Sequence, residues 1–230
     1  MTPPAGSRWW EDGERTFGTA TGRLVEEDFT RPSLLPGWTR AHVLAHVAGN
    51  ADALVNLLTW ARTGIETPMY ASAQERDAEI ARRAGLSPPS QRQEVAASTE
   101  RLAAAVRALP ADAWSAEVCT AQGRTVPADE VLWIRAREVW VHAIDLDAGV
   151  GFNELPDDAL VALTDEVFRT WQRRGVVPDI TVSAGGRQWG SGAVLIDGAT
   201  LAATVGWLTG RGAATQLSRA QDLPELPPWL

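Results

Sequence analysis

The chain of 230 residues is 45% hydrophobic and 22% charged, proportions typical of a globular protein with one large domain or two small ones. Its net charge of −8 excludes a broadly basic surface for nucleic acid or for an anionic membrane, and no apolar segment approaches the ~20 residues of a membrane span. The N-terminus also lacks a basic segment followed by an apolar one, so we expect a cytoplasmic protein that binds neither nucleic acid nor membrane.

Two helices are predicted in the first part of the chain, on either side of a proline-rich loop. Apolar residues at near-helical spacing predict the first helix over residues 7–28. Thr39 is a favourable N-cap for the second helix, which ends at Gly64. His46 lies on the apolar stripe of this second helix, whereas His42 falls in its first turn, where we expect it nearer to solvent.

The segment after the second helix is less regular. Residues 64–77 have no clear periodicity and predict a long loop, followed by short helical turns as far as the proline pair at 88–89. A third helix is predicted over residues 90–109. Residues 113–128 then form a connection that turns at Gly123.

The fourth predicted helix carries an acidic residue and a histidine where hydrocarbon is expected. Helix start and stop signals delimit it at residues 127–149, and apolar side chains cover most of its circumference, which predicts a buried helix. Glu138 and His142 lie one turn apart on one face. Burial of an ionised glutamate costs several kcal/mol unless it is paired or bound to a metal, so Glu138 requires a partner. For this pair alone, a core hydrogen bond and a metal site are equally good interpretations.

The helices and the C-terminal segment predict two domains. Four helices with this spacing indicate a bundle, in which facing helices can supply metal ligands. The later chain predicts a fifth helix, strands at DITVSA and AVLID with a turn signal at Gly185-Gly186, and a last helix. The expected fold class is α + α/β, with a four-helix bundle over residues 1–152 and a smaller α/β domain over residues 153–230.

The three histidines and Glu138 can be combined into a metal site. His46 on the second helix, with Glu138 and His142 on the fourth, would supply two nitrogens and a carboxylate, a set that suits Zn²⁺ and leaves one coordination position open. By spacing alone His42 could replace His46, although the expected burial favours His46. The single cysteine, Cys119, excludes a cysteine-based zinc cluster, so any thiol chemistry needs a thiol from outside the chain. The absence of lysine excludes Schiff-base chemistry.

Several motifs of the chain resemble those of one known family. The segments are, in chain order, GWTRAHVLAHVAGNADAL, GIETPMY, TAQGRTVPA, REVWVHAIDL, GWLTGRG and PELPPWL. Together they resemble the mycothiol-dependent maleylpyruvate isomerases of actinobacteria over essentially the whole chain, and more remotely the wider DinB-like metalloproteins. The resemblance implies a DinB-like N-terminal bundle that binds Zn²⁺ and a C-terminal α/β domain.

The resemblance also implies an activity and its residues. The expected reaction is the cis to trans isomerisation of maleylpyruvate to fumarylpyruvate in aromatic degradation through gentisate, with mycothiol as cofactor. A thiolate adds to the cis double bond, the resulting single bond rotates, and the thiolate is expelled. By position, the implied zinc ligands are His46, Glu138 and His142, and the functional arginine of the C-terminal domain is Arg211. We expect a monomer whose partners are mycothiol and the small-molecule substrate, with Arg211 binding a substrate carboxylate.

Alternatives stay open for the function and for several residues. The same site would serve a mycothiol S-transferase acting on another electrophile, and a third hypothesis is a DinB-like protein whose metal only stabilises the bundle. Arg211 could instead satisfy carbonyls at a helix end. Asp145 is either an acceptor that orients His142 or a surface charge. Tyr70 and Arg124 lie in loops that could border the site or could be structural.

Overall fold

The computed structural model describes residues 7–198, 200–212, 217–218 and 222–229. The chain divides into two compact units, Met1–Gly149 and Val150–Leu230. The first unit is built mainly from helices and the second combines helices with a small sheet, which confirms the predicted fold class in outline. Within the described ranges, no helix is both long and apolar enough to cross a membrane.

Helices make up most of the N-terminal unit as far as it is described. They are α1 (Ser7–Arg23), α2 (Arg40–Thr63), α3 (Ala73–Ala84), α4 (Pro88–Ala108) and α5 (Glu130–Asp145), with a hairpin of β1 (Glu117–Cys119) and β2 (Thr125–Pro127). α2 packs against α3, α4 and α5, while α1 packs against α5. The apolar faces meet in a core that contains Leu54, Leu102 and Val131. Burial of these faces, more than helix propensity, stabilises the helices.

Local signals explain the ends of α2, the second predicted helix. Its N-cap is Thr39, whose hydroxyl lies 2.7 Å from Nδ1 of His42. Its C-cap is Gly64, with a φ of 71°, a left-handed conformation that glycine adopts at little cost. The prediction of this helix is confirmed, and His46 is buried on it.

The fourth predicted helix is α5, and it is shorter than its sequence signals suggest. The predicted span of residues 127–149 is wrong at both ends. Pro127 belongs to strand β2, so the helix begins only at Glu130. After the helix, Asp147 and Gly149 have φ of 49° and 77°, which no helical residue adopts. Within its bounds α5 is buried on nearly all sides, as its apolar circumference predicts.

Helix α3 lies where a loop and short turns are predicted. It begins at Ala73, and Ser72 caps it by accepting a hydrogen bond from the N–H of Glu75 at 3.0 Å. The helix buries only Ile80 and Arg83. It therefore lacks the apolar periodicity from which a helix is recognised in sequence.

Two further segments differ from their predictions. The connection before α5 contains the antiparallel strands β1 and β2, although its turn at Gly123, with a φ of 76°, is as predicted. Each strand has three residues with one buried side chain, Val118 or Val126, which is too short for a visible alternation. The first helix ends at Arg23 because a 3₁₀ turn occupies Glu26–Thr30.

The C-terminal unit contains a three-stranded sheet and two helices in its described part. Its elements are α6 (Asp157–Arg174), β3 (Ile180–Ala184), β4 (Arg187–Gly190), β5 (Val194–Asp197) and α7 (Leu201–Leu208). β3 lies between β4, to which it is antiparallel through the predicted Gly185-Gly186 turn, and β5, to which it is parallel. α6 packs against α7. The tail packs through the buried Trp229, as expected, and Leu230 lies outside the described residues.

Candidate metal centre

Helices α2 and α5 bring His46, Glu138 and His142 together in the N-terminal unit. Nε2 of His46 lies 3.0 Å from Oε2 of Glu138, and Nε2 of His142 lies 3.4 Å from the same oxygen. The centroids of the two imidazole rings are 4.7 Å apart. Three candidate ligand atoms, one from each residue, all lie within 4.8 Å of one another. A single metal ion with protein ligands requires this kind of convergence.

Glu138 is ionised although it is buried, with 8% of its surface exposed. Burial by itself raises the pKa of Glu138, but hydrogen bonds with His142 and His46 and the charge of Arg137 outweigh it and hold the pKa well below its ordinary value. Its Oε1 accepts a hydrogen bond from Nη2 of Arg137 at 2.8 Å. Its Oε2 faces the two imidazoles and is available to a metal.

Asp145 orients His142. It is fully buried, and its Oδ2 accepts a hydrogen bond from Nδ1 of His142 at 2.8 Å. Burial by itself lowers the pKa of His142, but the hydrogen bonds with Asp145 and Glu138 raise it overall. Because Asp145 occupies Nδ1, Nε2 is the nitrogen of His142 that faces Glu138 and that a metal could bind in place of a proton. The interpretation of Asp145 as an acceptor is confirmed, and that of a surface charge is wrong.

His46 is held in a different way. Burial lowers the pKa of His46, against the raising effect of its hydrogen bond with Glu138. Its ring packs edge-on against Trp38, with centroids 5.5 Å apart. Among the described residues, none forms a hydrogen bond with its buried Nδ1. His46 is therefore a neutral imidazole at neutral pH, the form in which histidine binds metals.

The donor set fits a divalent metal of the zinc type. Two imidazoles and one carboxylate are ligands that catalytic zinc sites combine, with a further coordination position for water or substrate. Asp145 accepts a hydrogen bond from Nδ1 of His142, the nitrogen that does not face Glu138, and zinc sites commonly contain such a bond. Cys119 lies in β1 and is not a member of the cluster.

Three other residues singled out from the sequence have contacts of their own. His42 caps the start of α2, and Arg124 lies 3.4 Å from the carboxylate of Glu130 in a partly exposed ion pair. Arg211 belongs to the C-terminal unit, where its Nη1 donates to the carbonyl of Thr209 at 2.9 Å. That bond is the helix-end role considered as an alternative for Arg211, and its substrate-binding role stays a prediction.

A cavity of about 150 Å³ adjoins the cluster at His46. Its wall includes Tyr70, from the loop before α3, and Arg76, from α3 itself. Tyr70 does border the site, as the sequence left open. Arg76 was missed because its helix is predicted as a loop. Ser72 followed three residues later by Glu75 is the S-x-x-E pattern of a helix N-terminus, and this signal could have placed Arg76 on a helix.

A comparison with protein families matches most of the N-terminal unit. Residues 10–147 match the family model described as mycothiol maleylpyruvate isomerase N-terminal domain. This range contains His46, Glu138 and His142. No match was found among curated protein sequences.

Two solved structures are similar to the chain over its full length. One is the crystal structure of a mycothiol-dependent maleylpyruvate isomerase, with 37% sequence identity and a TM-score of 0.93 over 100% of this chain and 98% of that chain. The other is a histidine-to-alanine mutant of such an isomerase, with the same identity, coverage and TM-score. The chain therefore belongs to the mycothiol-dependent maleylpyruvate isomerase family.

Proposed function

We propose that this chain catalyses the zinc- and mycothiol-dependent cis to trans isomerisation of maleylpyruvate to fumarylpyruvate. The observation that carries the proposal is the convergence of His46, Glu138 and His142 in a chain similar to a mycothiol-dependent maleylpyruvate isomerase over its full length. A metal that only stabilised the bundle would not need a cavity beside one of its ligands, so the cavity at His46 favours an enzyme.

The proposed zinc ligands are His46, Glu138 and His142. When bound, Zn²⁺ would lower the pKa of the mycothiol thiol, and the thiolate would supply the reversible addition that frees the double bond to rotate. The chain keeps the ligands in place. Asp145 fixes the ring of His142, and Arg137 binds the carboxylate of Glu138 on the oxygen that faces away from the imidazoles.

The thiol must come from outside the chain, because Cys119 is its only cysteine. Sγ of Cys119 lies 3.6 Å from the carbonyl oxygen of Thr120, within the hairpin segment. We expect Cys119→Ser to keep full activity. Wild-type protein freed of small thiols should be inactive until mycothiol is added.

Arg211 is the proposed catalytic residue of the C-terminal unit. A guanidinium matches the planar geometry of a carboxylate, and maleylpyruvate carries carboxylates. Loss of such a bond in a desolvated site is worth about 2–4 kcal/mol, or roughly 10²–10³ in rate. Arg211→Ala should lower kcat/KM by that factor and spare zinc content and melting temperature, and Arg211→Lys should recover part. Normal kinetics in Arg211→Ala would leave only the helix-end role.

The proposal extends to the finer fold and to the setting of the protein. We propose a DinB-like four-helix bundle of α1, α2, α4 and α5 over residues 1–152, and a C-terminal α/β domain over residues 153–230. We further propose a cytoplasmic monomer whose partners are mycothiol and maleylpyruvate, without nucleic acid or membrane. Sedimentation of the purified zinc-loaded protein tests the monomer.

The main experiment is an assay of zinc-loaded protein with maleylpyruvate, with and without mycothiol. Formation of fumarylpyruvate that depends on mycothiol supports the proposal. Full turnover without any thiol excludes the thiolate mechanism. Consumption of mycothiol with another electrophile, and none with maleylpyruvate, would instead identify a mycothiol S-transferase.

A further inference from the structure

The cavity that adjoins His46 is also lined by a phenol and a guanidinium, those of Tyr70 and Arg76. The guanidinium carbon of Arg76 lies 6.0 Å from the centroid of the Tyr70 ring. These residues and the metal centre belong to the same compact unit. A ligand in the cavity would therefore meet a proposed zinc ligand, a neutral hydrogen-bond donor and a positive charge.

The loop that carries Tyr70 is held against α2. Nδ2 of Asn56 donates to the carbonyls of Pro68 and Met69, at 3.2 and 3.3 Å. The buried Met69 in turn accepts a hydrogen bond on Sδ from the N–H of Ala121 at 3.2 Å. These contacts hold the loop against α2 and against the turn between β1 and β2. Because the hydroxyl of Tyr70 is then already in place, it loses less entropy when it binds a ligand.

The acidic side chains of the cavity are already neutralised. Asp52 binds Arg83 at 2.7 Å and Arg101 at 2.8 Å. Glu79 binds Arg82 and Arg83, each at 2.6 Å. An anion that enters the cavity therefore faces carboxylates whose charge is balanced by arginines.

Arg76 is paired much more weakly than these arginines. Its ion-pair partner among the described residues is Asp77, at 3.1 Å, whose side chain is 68% exposed. Arg76 also donates a hydrogen bond to the phenol oxygen of Tyr70. An ion pair with an exposed carboxylate contributes little free energy because water competes for both charges. Arg76 can therefore exchange Asp77 for an anion in the cavity.

We propose that Tyr70 and Arg76 form a subsite that binds one carboxylate of the substrate beside the metal centre. The identity of the substrate rests on the proposed function. Arg76 would supply two parallel N–H donors and a charge, and Tyr70 an O–H donor to the same carboxylate. Burial raises the pKa of Tyr70 to about 12, and the charge of Glu138 adds to this shift. The phenol therefore keeps its proton at neutral pH and donates.

The size and charge of the cavity suit maleylpyruvate better than mycothiol. A volume of about 150 Å³ has room for several waters or for one end of a small organic acid. Maleylpyruvate is a small dicarboxylate. Mycothiol is a larger sugar conjugate without a carboxylate, so a guanidinium fork offers it no matching group.

Steady-state kinetics of Arg76→Ala and Tyr70→Phe test the subsite. The control is Arg107→Ala, because Arg107 pairs with Glu100 on the exposed side of α4 and does not line the cavity. KM for maleylpyruvate should rise about ten-fold or more in Arg76→Ala and by a smaller factor in Tyr70→Phe, since hydrogen bonds to charged groups are the stronger ones. Arg76→Lys should recover part of the loss. Zinc content, melting temperature and KM for mycothiol should match wild type.

Binding of maleate, an unreactive dicarboxylate, gives a measurement that does not depend on turnover. Calorimetric titration of zinc-loaded protein should give a Kd about ten-fold weaker in Arg76→Ala than in wild type or Arg107→Ala. If wild type isomerises maleylpyruvate but the Arg76 and Tyr70 variants have normal KM and maleate affinity, the subsite is wrong and the proposed function stands. If wild type does not isomerise it but maleate binding still requires Arg76 and Tyr70, the carboxylate subsite stands and the proposed function is wrong. Failure of wild type in both experiments overturns both.

Discussion

Arg135 and Glu138 lie one turn apart among the charged side chains that helix α5 buries, and they are satisfied in opposite ways. Arg135 is 0% exposed and donates to Oε1 of Glu14 on α1 at 2.7 Å. It also donates to the carbonyl of Val47 at 2.7 Å and to Oδ1 of Asn50 at 3.0 Å, both on α2. Glu138 instead presents one oxygen to two imidazole nitrogens, at 3.0 and 3.4 Å.

The difference separates a structural ion pair from a candidate metal site. Every contact of Arg135 named above joins a donor to an acceptor, so the protein itself satisfies the cation. The groups that converge at Oε2 of Glu138 are a carboxylate and two imidazole nitrogens, each of which can bind either a proton or a metal ion. Lone pairs that converge in a buried place are favourable around a proton or a metal cation. Burial of a charged side chain does not by itself indicate a functional site. The chemical nature of the groups around it does.

Loss of a proposed metal ligand should have the largest effect. His46→Ala, Glu138→Ala and His142→Ala should each reduce bound zinc from one ion per chain to near zero. Turnover should fall about 10³-fold or more, because a catalytic metal supplies several kcal/mol of transition-state stabilisation. Metal analysis and kcat/KM of the purified variants check this prediction. Zinc affinity should also fall in acid, where protons compete for the imidazoles.

The matched control for the metal ligands is His42→Ala. His42 lies one turn before His46 on α2 but only caps the helix through Thr39. The His42→Ala variant should therefore keep one zinc per chain. Full occupancy in His46→Ala would refute the ligand assignment, and an empty site in His42→Ala would mean that the wrong histidine was chosen.

Replacement of Arg135 should affect the fold and not the metal. Arg135→Met leaves the carboxylate of Glu14, whose side chain is only 14% exposed, without its cation, which costs up to about 3–5 kcal/mol of unfolding free energy. The double variant Arg135→Met/Glu14→Leu should recover most of that loss, because an apolar pair needs no partner. Urea unfolding measures both variants. Zinc per folded chain should stay at one, and loss of zinc without loss of stability would contradict the distinction between the two clusters.

The sequence predicts the part of the site that lies on one helix. Glu138 and His142 are conspicuous because they interrupt an apolar circumference, and Thr39 and Gly64 delimit α2 by local capping chemistry. Whether His46 or His42 faces Glu138 depends on how α2 rotates against α5. Spacing within one helix does not contain that information, so the choice of His46 rests on its expected burial and on the family resemblance.

The parts that could not be predicted depend on contacts between distant segments. The sequence gives no reason for an arginine at position 135 in a buried, apolar helix. The reason is its hydrogen bonds with Glu14 and Asn50, which are far away in the chain. α3 is stabilised by ion pairs such as that of Arg83 with Asp52, which leave no apolar pattern. Arg76 was missed for this reason, although Ser72 gave a local signal.

Loss of the acceptor for His142 should have an intermediate effect. Asp145→Asn replaces a charged acceptor by a weaker one, and such outer partners contribute about 10-fold to 100-fold to metal affinity. Trp38→Phe is the comparison at His46, whose ring contacts Trp38 and whose Nδ1 has no hydrogen bond from a described residue, and it should weaken zinc binding less. Competition with a chelator at pH 7 measures both affinities. Equal losses would mean that Asp145 acts only by packing.

The smallest effect is expected for a third charge cluster, the one around the partly exposed carboxylate of Glu79 on α3. Glu79 accepts hydrogen bonds from Arg82 and Arg83, and its side chain is 39% exposed. These hydrogen bonds, Arg82 first, lower the pKa of Glu79 to about 2 against a weaker raising effect of burial. The folded-state pKa is below that of the unfolded chain, so the stabilisation is present above pH 4.5 and is lost as the pH falls from 4.5 towards 2.

Solvent screening reduces this contribution, so Glu79→Gln should lower the unfolding free energy by less than about 1 kcal/mol at pH 7. Urea unfolding at pH 7 and at pH 3 checks the size and the sign, since the difference from wild type should shrink at the lower pH. Glu66→Gln, at an exposed loop position, is the control and should give no such trend. If Glu79→Gln lowered the unfolding free energy by several kcal/mol, solvent exposure would not explain why the Glu79 cluster and the Arg135 cluster differ. Water is expected to make the difference, because the carboxylate of Glu79, with its side chain 39% exposed, is solvated after its partners are lost far better than that of Glu14, with its side chain 14% exposed.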